Sequence, residues 1–357
     1  MSPLTTATGS TAALPATDTA AAPALPARGP RALWLLAAVV VLALVTLASF
    51  AVGARGLALD TLWQALTRFD PANGDHAVVH ARIPRTVLGL LAGGALGLAG
   101  AGMQGVTRNP LADPGIIGIN AGAALAVVTG IYVFGVTSLP GYIWFAFIGA
   151  AAAAAVVYLI ASLGRDGATP VKLALAGAAL SAGLFSLMNV ILVSSRDTLD
   201  RFRFWQVGGI AGRDWSVILP ALPFMLLGAA VVLATGRILN NLALGDDTAR
   251  GLGQRVGPAR ATTALGIVLL CGSATALAGP VGFVGLVIPH AVRFLTGPDY
   301  RWILPFSLVL APALLLAADV IGRVILLPGE VPAGIMTALV GAPVFVWLVR
   351  RGKGAGL

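Results

Sequence analysis

Apolar residues recur along this chain in long runs, broken by short polar stretches rich in glycine and proline, with none of the alternation that marks a β-strand. There are ten such runs, and the better ones approach the roughly 20 residues that an α-helix needs to cross the hydrocarbon core. The ten cover 33–53, 84–106, 115–134, 142–163, 173–194, 216–236, 260–278, 281–294, 302–320 and 332–349. A helix satisfies its backbone hydrogen bonds internally, which a segment in lipid requires. The pattern therefore predicts an all-α, polytopic transmembrane bundle of about ten helices, with 31–357 forming one membrane domain. Residues 1–30 depart from it. They are mostly Ala, Pro, Thr and Ser, a composition that cannot bury enough surface to fold, and predict a disordered cytoplasmic tail. Arg28 and Arg31 before the first run also suit a signal peptide, but the run is long and many spans follow, which favours an uncleaved first helix.

Composition agrees. At 58% hydrophobic and 10% charged residues over 357 positions, too little polar surface exists to cover a water-soluble globule of this size. Mean hydropathy is +0.91. The formal charge of +9 does not point to nucleic acid, because the basic residues sit singly between apolar runs. If Arg28 and Arg31 are cytoplasmic, 14 of the 23 basic residues fall on the cytoplasmic side, both lysines (Lys172, Lys353) among them, and both termini lie inside. The other nine are arginines on the far side. Arg196, Arg201, Arg203 and Arg213 have Asp197, Asp200 and Asp214 close by to pair with, whereas Arg82 and Arg85 have fewer acidic neighbours. The lone Cys271 excludes a disulfide framework within one chain and reads as a packing residue.

Ionisable residues are scarce inside the spans, Asp319 and His290 lying close to predicted ends. An ion-coupled secondary transporter would carry carboxylates or histidines at membrane depth, and a membrane-embedded enzyme would need a convergent set of catalytic groups. The scarcity points to an external energy source. No GxxxxGK[ST] phosphate loop is present, so if ATP is the source a separate subunit hydrolyses it.

The segment 82–122, RIPRTVLGLLAGGALGLAGAGMQGVTRNPLADPGIIGINAG, holds the densest pattern. Gly89, Gly93, Gly97, Ala101 and Gly105 form a ridge of small residues that lets two membrane helices approach closely. The polar, proline-bounded turn from Gln104 through Asn109 and Leu111 is not explained by packing alone. RxPR, GxxMQ and NPLADPxxxGxxxG resemble the permease family of the iron-siderophore, haem and cobalamin importers driven by ATP-binding-cassette subunits. LNNLALGDDTARGLG (239–253) is similar to the family's cytoplasmic coupling loop. GPVGFVGLVIPHAVR (279–293) resembles its late interrupted helix, and ADVIGR with PAGIMTALVGAPVFVWL (318–348) its last outer turn and final helix.

This resemblance implies a permease of a bacterial cytoplasmic (inner) membrane that imports an iron-siderophore complex, with haem or cobalamin as alternative cargo. The implied partners are a second permease copy or paralogue, two ATPase subunits that carry the ATP and magnesium, and a soluble or lipid-anchored substrate-binding protein. No cofactor, metal site or catalytic residue is implied for this chain. Arg82, Arg85 and Arg323 would dock the binding protein, for which the planar, permanently charged guanidinium is suited. Leu242, Ala243, Leu244, Gly245, Asp246, Asp247, Ala249, Arg250, Leu252 and Gly253 would meet the ATPase, with Asp246 and Asp247 placed to cap a short helix beginning near Thr248. Gating falls to Gln104, Asn109, Leu111, Thr169, Pro170 and Val171, where Pro170 replaces an expected small polar residue. Gly183, Ser186 and Asn189 would line the path, Asn189 serving equally well as an interhelical hydrogen-bonding group.

Overall fold

Each of the ten apolar runs folds as a helix in the computed structural model, which describes residues 31–53, 56–163 and 169–352. The 1–30 tail lies outside the described residues, as do Arg28, Arg55, Arg165 and Lys353. In chain order the helices are α1 (Arg31–Ala51), α2 (Leu59–Thr67), α3 (Gly74–Thr107), a 3-10 turn (Pro114–Ile117), α4 (Ile119–Phe134), α5 (Leu139–Ser162), α6 (Pro170–Ser194) and α7 (Arg196–Gln206). There follow α8 (Trp215–Ala234), α9 (Gly236–Ala243), α10 (Asp246–Gly251), α11 (Val256–Ala278), α12 (Val284–Thr296), α13 (Tyr300–Val324) and α14 (Ala333–Gly352). By length and composition seven can cross a bilayer: α1, α3, α5, α6, α8, α11 and α13. Ile119–Phe134, Val284–Thr296 and Ala333–Trp347 are shorter apolar helices. The chain is thus an all-helical, multi-pass membrane protein.

Helix boundaries depart from the apolar runs where capping or amphipathicity decides. α3 starts at Gly74, well before the predicted 84, because the Asn73 side chain accepts from the Asp75 N–H at 2.9 Å and caps the end. α7 carries too much charge to register as an apolar run, yet it buries Thr198, Phe202 and Trp205 at helical spacing. Its charges pair outside, Arg201 with Asp197 at 2.8 Å and Arg203 with Asp200 at 3.0 Å, as their proximity in sequence predicts.

α3 is the central helix. Of its apolar window 83% is buried, against 11% for α1 and 17% for α6. The small-residue ridge explains how it is enclosed: a Cβ at Gly93 would strike the backbone of Pro312, and one at Gly97 would strike Ser307 and Ala311, so α13 lies directly on the ridge. One turn on, Gly100 meets the backbone of Gly285 on α12, and neither helix tolerates a side chain there. α1 and α6 remain at the periphery, with most of their apolar surface turned outward.

Candidate functional site

Two polar clusters lie far apart along α3, one around Arg85 and the other at its C-terminal end. Arg85 and Arg108 are 23 residues apart on it (108 − 85), which at 1.5 Å per residue is about 35 Å, slightly more than the hydrocarbon thickness of a bilayer.

At the end near Arg85, one carboxylate organises the cluster. Asp319, 1% exposed, accepts from Arg85 Nε at 3.0 Å and Nη2 at 2.8 Å, and from Arg323 Nε at 2.9 Å and Nη2. The other Nη of Arg85 donates to Glu330 at 2.8 Å. Arg323 donates further to the Ser49 carbonyl at 2.7 Å and the Ser49 hydroxyl at 3.1 Å, and that hydroxyl meets Thr86 at 2.9 Å. Helices α1, α3 and α13 are thereby tied together by one buried network. Arg323, one of the expected docking arginines, is 2% exposed and spends its donors holding α13 to α1. Arg85 is partly accessible, and Arg82, also half-buried, donates to the Phe50 carbonyl at 2.6 Å. Arg213 does not pair with Asp214, which caps α8 through Ser216 instead; Arg213 Nε donates to the Leu277 carbonyl at 2.8 Å.

At the other end, α9 and α10 fold back against the bundle. Leu239 and Leu242 are fully buried, Leu239 filling the space beside Gly105 of α3, and Asn240 fastens α9 to α13 by donating to Asp299 at 2.7 Å and accepting from the Tyr300 N–H at 2.8 Å. The positive φ of Gly245 (102°) turns the chain into α10. Asp246 and Asp247 do not cap a helix at Thr248: α10 starts at Asp246 itself, and Gly245 is its N-cap without a side-chain bond. Asp246 instead reaches Arg260 on α11 at 2.8 Å and Arg108, the left-handed C-cap of α3, at 3.4 Å. Two of the expected contact residues, Leu242 and Ala249, are wholly buried within this chain. The apolar side chains that do face outward are Leu244, 62% exposed, and Leu252, 60% exposed, flanked by Ala243, Arg250 and Gly253.

The chain matches the FecCD transport family over residues 41–351. It belongs to that family. It is 45% identical to the ferric enterobactin transport system permease protein FepD of Escherichia coli (strain K12), over 90% of this chain and 96% of that one. It is 42% identical to the Probable siderophore transport system permease protein YfiZ of Bacillus subtilis (strain 168), over 89% of this chain and 96% of that one. Among solved structures it is similar to an ABC transporter of metal-chelate type in an inward-facing conformation, with a TM-score of 0.79 and 29% identity over 90% of this chain and 99% of that one.

The remaining expected positions divide in this FecCD chain by exposure. Gln104 is 1% exposed between α3 and α12, donating to the Leu286 carbonyl at 3.2 Å, so it lines no open path within the chain. Asn109 and Leu111 are exposed, in a turn closed by the Asn109 side chain accepting from the Leu111 N–H at 2.9 Å. The Pro170 departure has a local cause: Thr169 caps α6, accepting from the Lys172 N–H at 3.3 Å, and Pro170 sits at the first helical position, where no N–H is missed. Val171, Gly183, Ser186 and Asn189 are all exposed on α6, and nothing lies within 4 Å of a Cβ built at Gly183.

Proposed function

We propose that this chain is the membrane permease of an ATP-driven importer that carries an iron-siderophore complex inward across the bacterial cytoplasmic membrane. The observation that carries the reading is family membership over nearly the whole chain, together with relatives named for siderophore and ferric enterobactin transport. The ten apolar helices each cross the membrane, which leaves both termini on the cytoplasmic side with the α9–α10 loop. ATP is hydrolysed by two separate ATPase subunits, and this chain performs no covalent chemistry.

Three surfaces support the assignment. Leu244 and Leu252 give the coupling loop the apolar contacts that seat it on the ATPase, while Asp246 ties that loop to the C-terminal end of α3 beside Asn109 and Leu111. Movement of α10 is thereby passed to the NPL turn. Arg82 and Arg85, some 35 Å away by the rise of α3, face the binding protein, and contacts of this kind set register and association rate, so docking is salt-sensitive. The exposed face of α6, which carries Val171, Gly183, Ser186 and Asn189, meets the second permease subunit and lines the path between the two. A weakly binding path suits a system in which the binding protein supplies the affinity.

The test is accumulation of radio-iron by cells expressing the chain with its ATPase and binding protein, supplied with ferric siderophore. Uptake that disappears when this chain is deleted supports the reading. Uptake of haem or cobalamin but not of ferric siderophore would move the cargo and keep the importer.

A further inference from the structure

Beside the Asp319 network lies a cavity of about 250 Å³, bounded by Arg85, Phe204, Ile210, Arg213, Asp319 and Glu330. It is formed where the turn after α7, the loop after α13 and the Arg85 end of α3 converge. Its volume falls below the roughly 300 Å³ at which small-molecule sites begin, so it suits one side chain better than a metal chelate.

Its charged side chains are unequally paired. Arg85 and Arg213 line it together with Asp319 and Glu330, and Asp319 is saturated by Arg85 and by Arg323 behind it. Arg213 has no acidic partner among the described residues and donates only to the carbonyls of Leu277 and Ala211. Burial lowers its pKa with no neighbouring charge opposing that effect. Glu330 is the loosest member, 38% exposed and held by the single pair to Arg85. With Glu330 in place the charged lining residues balance (2 − 2), and with Glu330 swung into solvent they carry +1 around an open cavity.

We propose that this cavity receives one acidic side chain of the substrate-binding protein, that Arg213 together with Arg85 holds its carboxylate, and that Glu330 occupies the place beforehand and is displaced on docking. The inference rests on the importer reading above and adds to it a further contact residue, Arg213, and an internal competitor, Glu330. A guanidinium pair around a carboxylate is a strong, geometrically specific contact, and Glu330, 38% exposed, is the member of its pair that solvent can take over. Glu330 thereby keeps the arginines from unselective anions until a correctly placed carboxylate arrives.

The experiment uses the full chain with its ATPase in nanodiscs and the binding protein of the same system as probe. Arg213→Ala is expected to weaken binding roughly tenfold, and Glu330→Gln to strengthen it several-fold. Because Arg213→Ala also removes backbone contacts, a second variant reads proximity directly. The only lysines of the chain are Lys172 and Lys353. Arg213→Lys therefore adds an amine at the cavity that a zero-length carbodiimide reagent joins to any carboxylate in contact with it. An amide bond from position 213 to an Asp or Glu of the binding protein, absent from an Arg196→Lys control, supports the proposal. Unchanged binding in Glu330→Gln, no adduct above the control, or an adduct to a second copy of this chain overturns it while leaving the importer intact. A wild-type complex that binds no such protein overturns both.

Discussion

Asp319→Asn should cost this protein much of its stability, although it preserves size and shape. The carboxylate accepts from the forks of both Arg85 and Arg323, at distances from 2.8 to 3.0 Å where they are ordinary, and is 1% exposed. An amide oxygen can replace one acceptor oxygen, but its NH2 group turns donors toward a guanidinium, so one arm is lost and a buried cation is left uncompensated. Breaking such a pair from one side costs about 3–5 kcal/mol. Arg323 keeps its bonds to Ser49 and Arg85 keeps Glu330, which places the cost near the lower end, about 3 kcal/mol. That corresponds to a fall in melting temperature on the order of 10 °C. Cys271, the only cysteine and 2% exposed in α11, supplies the assay: a thiol-reactive dye reports the temperature at which the bundle opens in detergent. The double variant Asp319→Leu/Arg323→Met removes both charges and should regain most of the loss, since apolar pairs often replace buried ion pairs at little cost. A melting temperature within a degree or two of wild type for Asp319→Asn, or no recovery in the double variant, would refute the network as the tie between α1, α3 and α13.

Other expectations are as direct. Leu252→Asp and Leu244→Asp should each abolish co-purification of the ATPase while leaving the Cys271 melting profile unchanged, because both side chains face outward. Gly100→Ala should lower stability by about 1–3 kcal/mol, since the new methyl meets the Gly285 backbone. Gly183→Ala should leave the melting profile unchanged and alter uptake, its surroundings being open in the single chain. Burial pushes the Asp299 carboxyl up, but the Asn240 amide, the Arg301 N–H and the charges of Arg301 and Arg31 outweigh that and hold it below the usual carboxylate range. A depressed folded pKa gives stability that is present above the unfolded value near 3.9 and is lost as pH falls through the folded one. Asp299→Ala should therefore flatten the acid limb of a stability-against-pH curve.

Long apolar runs carry their own solvent preference, which is why the seven helices able to cross a bilayer and the three shorter apolar ones could be read from the sequence, and why the glycine ridge pointed to the seam that α13 fills. What could not be read depended on side chains distant in the chain. Arg323 looks like an outer arginine until Ser49 and Asp319 are brought to it, and Asp246 looks like a helix cap until Arg260 and Arg108 converge on it. α7 escaped because it is amphipathic and too charged to stand out as an apolar run. Leu242 and Leu244 are two residues apart with the same chemistry, and only the fold of α9 decides that one is core and the other exposed. For Arg213 a signal did exist: Asp214 precedes Ser216 at the start of an apolar run, a capping arrangement that takes the acid away from its neighbour.

The central claim, import of an iron chelate driven by a partner ATPase through this chain, is tested most directly in liposomes containing the chain, its ATPase and its binding protein, loaded internally with ATP and supplied outside with ferric siderophore, with the ATPase facing inward. Accumulation of iron that requires ATP and the binding protein, and is lost with Leu252→Asp, is the predicted result. Equal accumulation without ATP, or a chain that never associates with any ATPase, would contradict it.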